Sequence, residues 1–226
     1  MRSLIYSPEL LKSEFATRLI DDQKARGTEC HPTTPEVLAT LADKENPQGL
    51  IAVAQVPVAA LGGLGPANLP LGVAVVAPQD PGNVGAILRT IDAVGASGLI
   101  LLAASVDPYH PSSVRASMGA LFWYPVVQAS FAEFAAWAAA AGYRVYGSSA
   151  VAAADYRTAG PYQQPCILLL GSERAGLTPE QEAACDLVVG IPMGGRASSL
   201  NLAVAAGILL YGMFGPPESA GGRNFP

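Results

Sequence analysis

The sequence predicts an α/β fold, a parallel sheet flanked by helices, preceded by a small α+β block. Three observations point there. From residue 71 onward, short apolar runs alternate with helix-length segments. Those runs are apolar throughout rather than every second residue, as in strands buried on both faces of a parallel sheet. Finally, half of the 226 residues are hydrophobic and only 14% are charged, enough for one core of ordinary size plus a small appendage.

The elements follow in chain order. Residues 1–56 form the first block: a short strand at Leu4–Tyr6, a helix from Pro8 to Ala25, a second helix from Pro35 to Ala42, and an apolar run Leu50–Val56. Pro57, Gly62, Gly63, Gly65, Pro66 and Pro70 then interrupt regular structure, so 57–70 reads as a linker. Its Gly-Gly-Leu-Gly is followed by proline with no helix behind it, which argues against a nucleotide loop. Beyond it come a strand at Val73–Ala77 and a helix at Asn83–Val94 with an apolar stripe Val84, Ile87, Leu88, Ile91 and Val94. A strand at Leu99–Ala103, a helical stretch Ser112–Gly119 and a strand beginning at Val126–Val127 follow. The alanine-rich helix Phe131–Ala141 stops at Gly142. Strands at Arg144–Tyr146, Ile167–Leu170 and Leu187–Val189, a short helix Pro179–Ala184 and a long apolar helix Leu200–Phe214 complete a 71–215 domain. Residues 216–226 read as a flexible tail.

Composition excludes several classes. The amino terminus has no long apolar run, and no stretch reaches the ~18 apolar residues of a membrane span, so a soluble cytoplasmic protein is expected. Cys30, Cys166 and Cys185 form no CxxC pair and read as buried reduced thiols, and His31 and His110 lack partners at metal-ligand spacing, so no metal is expected. A net charge of −5 argues against bulk electrostatic binding to nucleic acid. Past Lys44, however, every positive charge is an arginine, and Arg89, Arg115, Arg174 and Arg196 fall in or near Gly-, Ser- and Asn-rich segments. Arginine suits bidentate phosphate contact, although ordinary surface solvation accounts equally for Arg115 and Arg196 taken singly.

Three segments carry chemistry. Asp80-Pro81-Gly82-Asn83-Val84-Gly85-Ala86-Ile87-Leu88-Arg89-Thr90 follows a strand and opens a helix, which aims free N–H groups at the tip of the sheet. Asn83 is well placed to cap that helix; alone, the segment is also compatible with a cap and a surface arginine. Leu168-Leu169-Leu170-Gly171-Ser172-Glu173-Arg174-Ala175-Gly176-Leu177 runs from a buried strand into a glycine turn, where open α/β sheets bind ligands, or simply a tight turn with a solvated ion pair. Ile191-Pro192-Met193-Gly194-Gly195-Arg196-Ala197-Ser198-Ser199-Leu200-Asn201 is a glycine-rich loop entering a helix. Ser199 there has the position of a cap, whereas Asn201, in an apolar helix expected to be buried, must find partners.

In this order and wording the segments resemble the three motifs of the SpoU (TrmH-type) RNA methyltransferases of the SPOUT superfamily. The resemblance covers about residues 71–214 and includes Ser112-Ser113-Val114-Arg115-Ala116-Ser117-Met118-Gly119-Ala120; Val37–Gly49 resembles the end of the small substrate-binding domain found before many members' catalytic domains, here truncated. It implies a carboxy-terminal trefoil knot, a homodimer whose sites combine residues of both chains, and S-adenosylmethionine as methyl donor. Gly171, Ile191, Met193 and Leu200 would meet the donor, and Asn83, Arg89, Glu173, Ser199 and Asn201 would form the catalytic constellation. The family's proposal makes the arginine a general base. Because guanidinium hardly deprotonates, Arg89 reads rather as a clamp on RNA phosphate that stabilises the developing alkoxide, with Arg115, Arg174 and Arg196 as further RNA contacts. The implied activity is methylation of a ribose 2′-hydroxyl in RNA, not DNA, with ribosomal RNA favoured over transfer RNA. A catalytically inactive, dimeric RNA-binding factor is the alternative, suggested by low basicity and opposed by the presence of all five candidate side chains. A dinucleotide-binding enzyme is opposed by the absence of GxGxxG.

Overall fold

The computed structural model describes residues 1–43, 45–57 and 59–215, so the tail expected at 216–226 lies outside the described residues. The chain divides into two compact units, Met1–Val58 and Ala59–Pro226.

The first unit contains β1 (Ser3–Tyr6), α1 (Glu14–Ala25), β2 (Glu29–Pro32), α2 (Pro35–Ala42) and β3 (Leu50–Val53). β1 is central, parallel to β2 and antiparallel to β3. Among the described residues, Leu4, Ile20 and Leu38 are this unit's buried apolar side chains. Thr34 caps α2 by accepting from Val37 N, with Pro35 at the first helical position. The first helix starts at Glu14 rather than Pro8, because Leu10 and Leu11 donate back to Ser7 O in a turn and Ser13 is extended. β2 escaped the sequence reading: Glu-Cys-His-Pro has no apolar period, and only its pairing with β1 makes it a strand.

The second unit contains β4 (Leu71–Val76), α3 (Pro81–Val94), β5 (Gly98–Leu102), α4 (Pro111–Ala116), β6 (Val126–Ala129), α5 (Phe131–Ala140), β7 (Arg144–Ser148), β8 (Ala154–Asp155), β9 (Cys166–Leu170), α6 (Pro179–Ala183), β10 (Leu187–Gly190) and α7 (Leu202–Phe214). The strands form one seven-stranded sheet, ordered β6-β5-β4-β9-β7-β10-β8, and every adjacent pair is parallel. The expected α/β architecture with a parallel sheet is therefore present. Alternate residues serve opposite faces, both dry. Val73, Val75, Leu99, Leu101, Leu168 and Leu170 pack with α3 and α7, while Ala74, Val76, Ile100, Leu102, Ile167 and Leu169 pack with Phe134 and Ala138 of α5. Continuous burial on both faces is why these strands show no polar alternation.

The stretch read as a linker is mostly part of this unit. Leu69 is fully buried, Asn68 bridges Gly65 N and Gly63 O, Trp137 Nε1 donates to Leu64 O (3.2 Å) and Tyr143 Oη donates to Leu69 O (2.9 Å). Glycine and proline preclude regular structure here without precluding packing. Among the described residues, no helix is long and apolar enough to cross a membrane.

Burial pushes the Cys166 thiol up to about 12, and burial with the nearby Glu182 and Asp186 charges raises Cys185 to about 11. Raised values favour the neutral thiol, so at pH 8 the reactive thiolate is only ~10⁻⁴ of Cys166 and ~10⁻³ of Cys185. Brief maleimide treatment of the native protein is expected to label the half-buried Cys30 alone, and all three cysteines after denaturation, as read by peptide mass spectrometry. Rapid native labelling of Cys166 would contradict this burial.

Candidate active site

At the carboxy-terminal ends of β7, β9 and β10 lies a cavity of about 530 Å³, within the range of small-molecule sites. Three segments distant in sequence build it.

The first follows β9. Gly171 passes so close to the chain returning at Gly176 and Leu177 that a Cβ on it would lie 2.2 Å from Gly176 C and 2.4 Å from Leu177 N. Only glycine fits that crossing. Ser172 and Gly176 exchange two backbone hydrogen bonds of 3.0 Å, Ser172 Oγ accepts from Ala175 N (3.2 Å), and Gly176 takes φ +68°. Glu173 and Arg174 occupy the tip of this tight loop, with Glu173 half-buried and Arg174 exposed.

The second is the start of α3. Its cap is Asp80, which accepts from Gly82 N (2.7 Å), with Pro81 next. Asn83 is thus not the cap expected from sequence; Asp80 takes that role and leaves the buried Asn83 amide for long-range partners. The third is the loop 191–200 and the start of α7. Asn201 is exposed rather than buried and caps α7, its Oδ1 accepting from Ala203 N (2.9 Å) and Val204 N (3.3 Å). Because the cap occupies the oxygen, the NH₂ points away, and Asn201 Nδ2 donates to Asn83 Oδ1 (3.0 Å). Asn83 Nδ2 in turn donates to Glu173 Oε1. One directed chain of hydrogen bonds, Asn201 to Asn83 to Glu173, therefore joins residues 118 and 90 positions apart.

Asn83, Gly171, Glu173, Arg174, Ile191, Met193, Ser199, Leu200 and Asn201 all line the cavity. Arg89, Arg115 and Arg196 do not line it. Arg89 is exposed on α3, six residues beyond Asn83 and so ~9 Å along the helix. Arg115 is exposed on α4 beside Ser112 Oγ (3.4 Å), and Arg196 is exposed in the loop before α7. The sequence reading missed the wall formed by Ser148, Ser149, Ala150 and Val151. It ended the preceding strand at Tyr146, and only the adjacency of β7 to β9 and β10 reveals that this strand end faces the same cavity. The Ser-Ser pair closing a strand was the available signal.

Leu170, Leu177, Val189, Ile191, Leu202 and Leu209 give the cavity apolar walls, with the carboxylates of Glu173 and Glu182 among them. The arrangement suits a ligand with a flat apolar portion and a positive charge. Among the described residues, no cluster of three or more His, Cys, Asp or Glu side chains could hold a metal ion.

Comparison with known proteins adds to this geometry. Residues 70–211 match the family model described as the SpoU rRNA Methylase family. The chain is 36% identical over 219 residues to the 23S rRNA (uridine(2479)-2′-O)-methyltransferase of Streptomyces viridochromogenes, covering 93% of this chain and 75% of that protein. It is 32% identical over 206 residues to the 23S rRNA (guanosine(2553)-2′-O)-methyltransferase RlmP of Bacillus subtilis, covering 91% of this chain and 79% of that protein. The AdoMet-bound rRNA methyltransferase from Sinorhizobium meliloti superposes with a TM-score of 0.85 at 34% identity, covering 94% of this chain and 78% of that one.

Proposed function

Because the chain belongs to the SpoU rRNA methylase family, we propose that it transfers a methyl group from S-adenosylmethionine to a ribose 2′-hydroxyl of ribosomal RNA. The observation that carries this reading is the hydrogen-bond chain from Asn201 through Asn83 to Glu173, which draws three segments to one cavity at the sheet's ligand-binding end.

The cavity fits the donor. Gly171, Ile191, Met193 and Leu200 hold its apolar part, and the acidic side chains suit its positive centre. When bound, S-adenosylmethionine supplies an electrophilic sulfonium methyl, so the protein has mainly to position and activate an oxygen. Ser199 and Asn201 hold the loop and the ribose, and Asn83 and Glu173 orient the hydroxyl. Arg89 clamps the adjoining phosphate and stabilises the developing alkoxide, while Arg115, Arg174 and Arg196 contact the RNA backbone.

Arg89 does this from a second copy. It lies outside its own chain's cavity, and α7 leaves Val204 and Tyr211, each 51% exposed, on an apolar face; both features support a homodimer with shared sites. The carboxy terminus forms a trefoil knot. Supporting this, β10 lies between β7 and β8, so the chain of 149–165 leaves β7, crosses to the far side of β10 and returns to β9. Residues 1–56 serve as a small RNA substrate-binding domain, and the enzyme, working on ribosomal RNA, is cytoplasmic.

The test is transfer of tritiated methyl from S-adenosylmethionine to unmodified transcripts of 16S, 23S and transfer RNA, followed by nucleoside mass spectrometry. A 2′-O-methylnucleoside in ribosomal RNA is expected. Label on a base, label in transfer RNA alone, or none at all would refute it.

A further inference from the structure

Resting on the function proposed above, we infer that Glu173 is the catalytic base: its Oε2 receives the proton of the ribose 2′-hydroxyl. The carboxylate lines the cavity, and its two oxygens have different situations. Oε1 accepts from Asn83 Nδ2, whereas Oε2 has no hydrogen-bond partner among the described residues. An acceptor with one oxygen tethered and the other without a partner among the described residues, on a side chain that lines a ligand cavity, has the geometry required of a base.

The tether is also fixed in sense. The backbone N–H groups of Ala203 and Val204 hold Asn201 Oδ1, so Asn201 must present its NH₂ to Asn83, and Asn83 must present its own NH₂ to Glu173. Neither amide can turn over without losing a hydrogen bond at both ends. The start of α7 thereby imposes the role of acceptor on residue 173 from two side chains away. Arg174, next along the tight loop, and Glu182, on the same cavity, are the neighbouring charged groups.

The proton balance is simple. As the oxygen–methyl bond forms and the sulfur–methyl bond breaks, the hydroxyl proton passes to Oε2. The negative carboxylate and the positive sulfur both become neutral, leaving a methyl ether, a thioether and a carboxylic acid. No further reactant is needed, and the acid returns its proton to water once the RNA leaves. Arg89 is then free to serve as the phosphate clamp.

The substitution Glu173→Gln tests this with almost no change of shape. Asn83 can only donate, so the introduced amide must turn its carbonyl oxygen to Asn83 and present NH₂, a donor, to the cavity. The rate of methyl transfer to 23S RNA transcript at saturating donor is expected to fall about 10²–10⁴-fold, the usual worth of a positioned base. Calorimetric affinity for S-adenosylhomocysteine, which lacks both the methyl group and the positive charge, should stay within about threefold of the unmodified protein. A rate within tenfold of wild type would overturn the inference. So would an affinity for S-adenosylhomocysteine that falls as far as the rate, which would make Glu173 a residue that holds the donor. If the wild-type protein binds S-adenosylhomocysteine yet methylates no RNA, the proposed function fails first, a result distinct from either.

Discussion

Replacing Arg89 by alanine is expected to lower methyl transfer about 10²–10³-fold, the scale on which single groups that stabilise developing negative charge act. The substitution should leave donor binding and folding nearly untouched. Arg89 is exposed, forms no part of its own chain's cavity, and has no hydrogen bond or ion pair among the described residues. Its loss therefore removes no hydrogen bond or ion pair of its own chain among the described residues. Lysine should rescue poorly, because a point charge does not reproduce the planar pair of N–H groups that grips a phosphate. Single-turnover rates with 23S RNA transcript, together with calorimetry using S-adenosylhomocysteine, check both halves. In the proposed dimer a second test follows. Mixing Arg89→Ala and Glu173→Gln chains should restore activity above either parent, because one of the two shared sites in a mixed dimer draws both intact residues. Full activity of Arg89→Ala alone would remove the arginine from the mechanism.

The second large effect is expected at Gly171, where one methyl group should disable the site. The obstacle there is backbone: an added Cβ would meet Gly176 C at 2.2 Å, Leu177 N at 2.4 Å and Gly176 O at 2.6 Å. No rotamer change relieves such a contact, so in Gly171→Ala the tight loop 172–176 must separate from β9. That shift carries Glu173 away from Asn83 and spreads the cavity. Overpacking of this kind costs about 1–3 kcal/mol, and occasionally more. A melting temperature lower by several degrees and a loss of S-adenosylhomocysteine binding of at least about tenfold are expected. Gly62→Ala is the control, because nothing lies within 4 Å of its Cβ position. Its melting temperature should match that of the unmodified protein.

Much of this was legible beforehand because it is local. Leu71–Val76, Gly98–Leu102 and Cys166–Leu170 are buried on both faces, so unbroken apolar runs announced them. The stripe on α3 and the glycine-rich loop ahead of α7 were equally plain. What stayed hidden depends on partners far along the chain. Ala154–Asp155 is a strand only because β10 runs beside it. Ser148–Val151 becomes a cavity wall only through the strand order. The placement of Asn83 followed a sound rule for helix starts, yet Asp80 stood three residues earlier with the same capping chemistry and a proline behind it. Nor could any local pattern reveal the sense of the amide pair, since it arises between positions 83 and 201.

The place of β10 has a consequence for how the protein is made. An inner strand of the sheet is also the last of its strands to be synthesised. Once β7 and β9 have left the ribosome and before β10 does, β7 has β9 on one side and a bare edge on the other. Bare edges recruit foreign strands. The nascent chain therefore keeps an open edge at β7 until β10 emerges, and a message truncated ahead of residue 187 would yield a sheet in which that edge stays open.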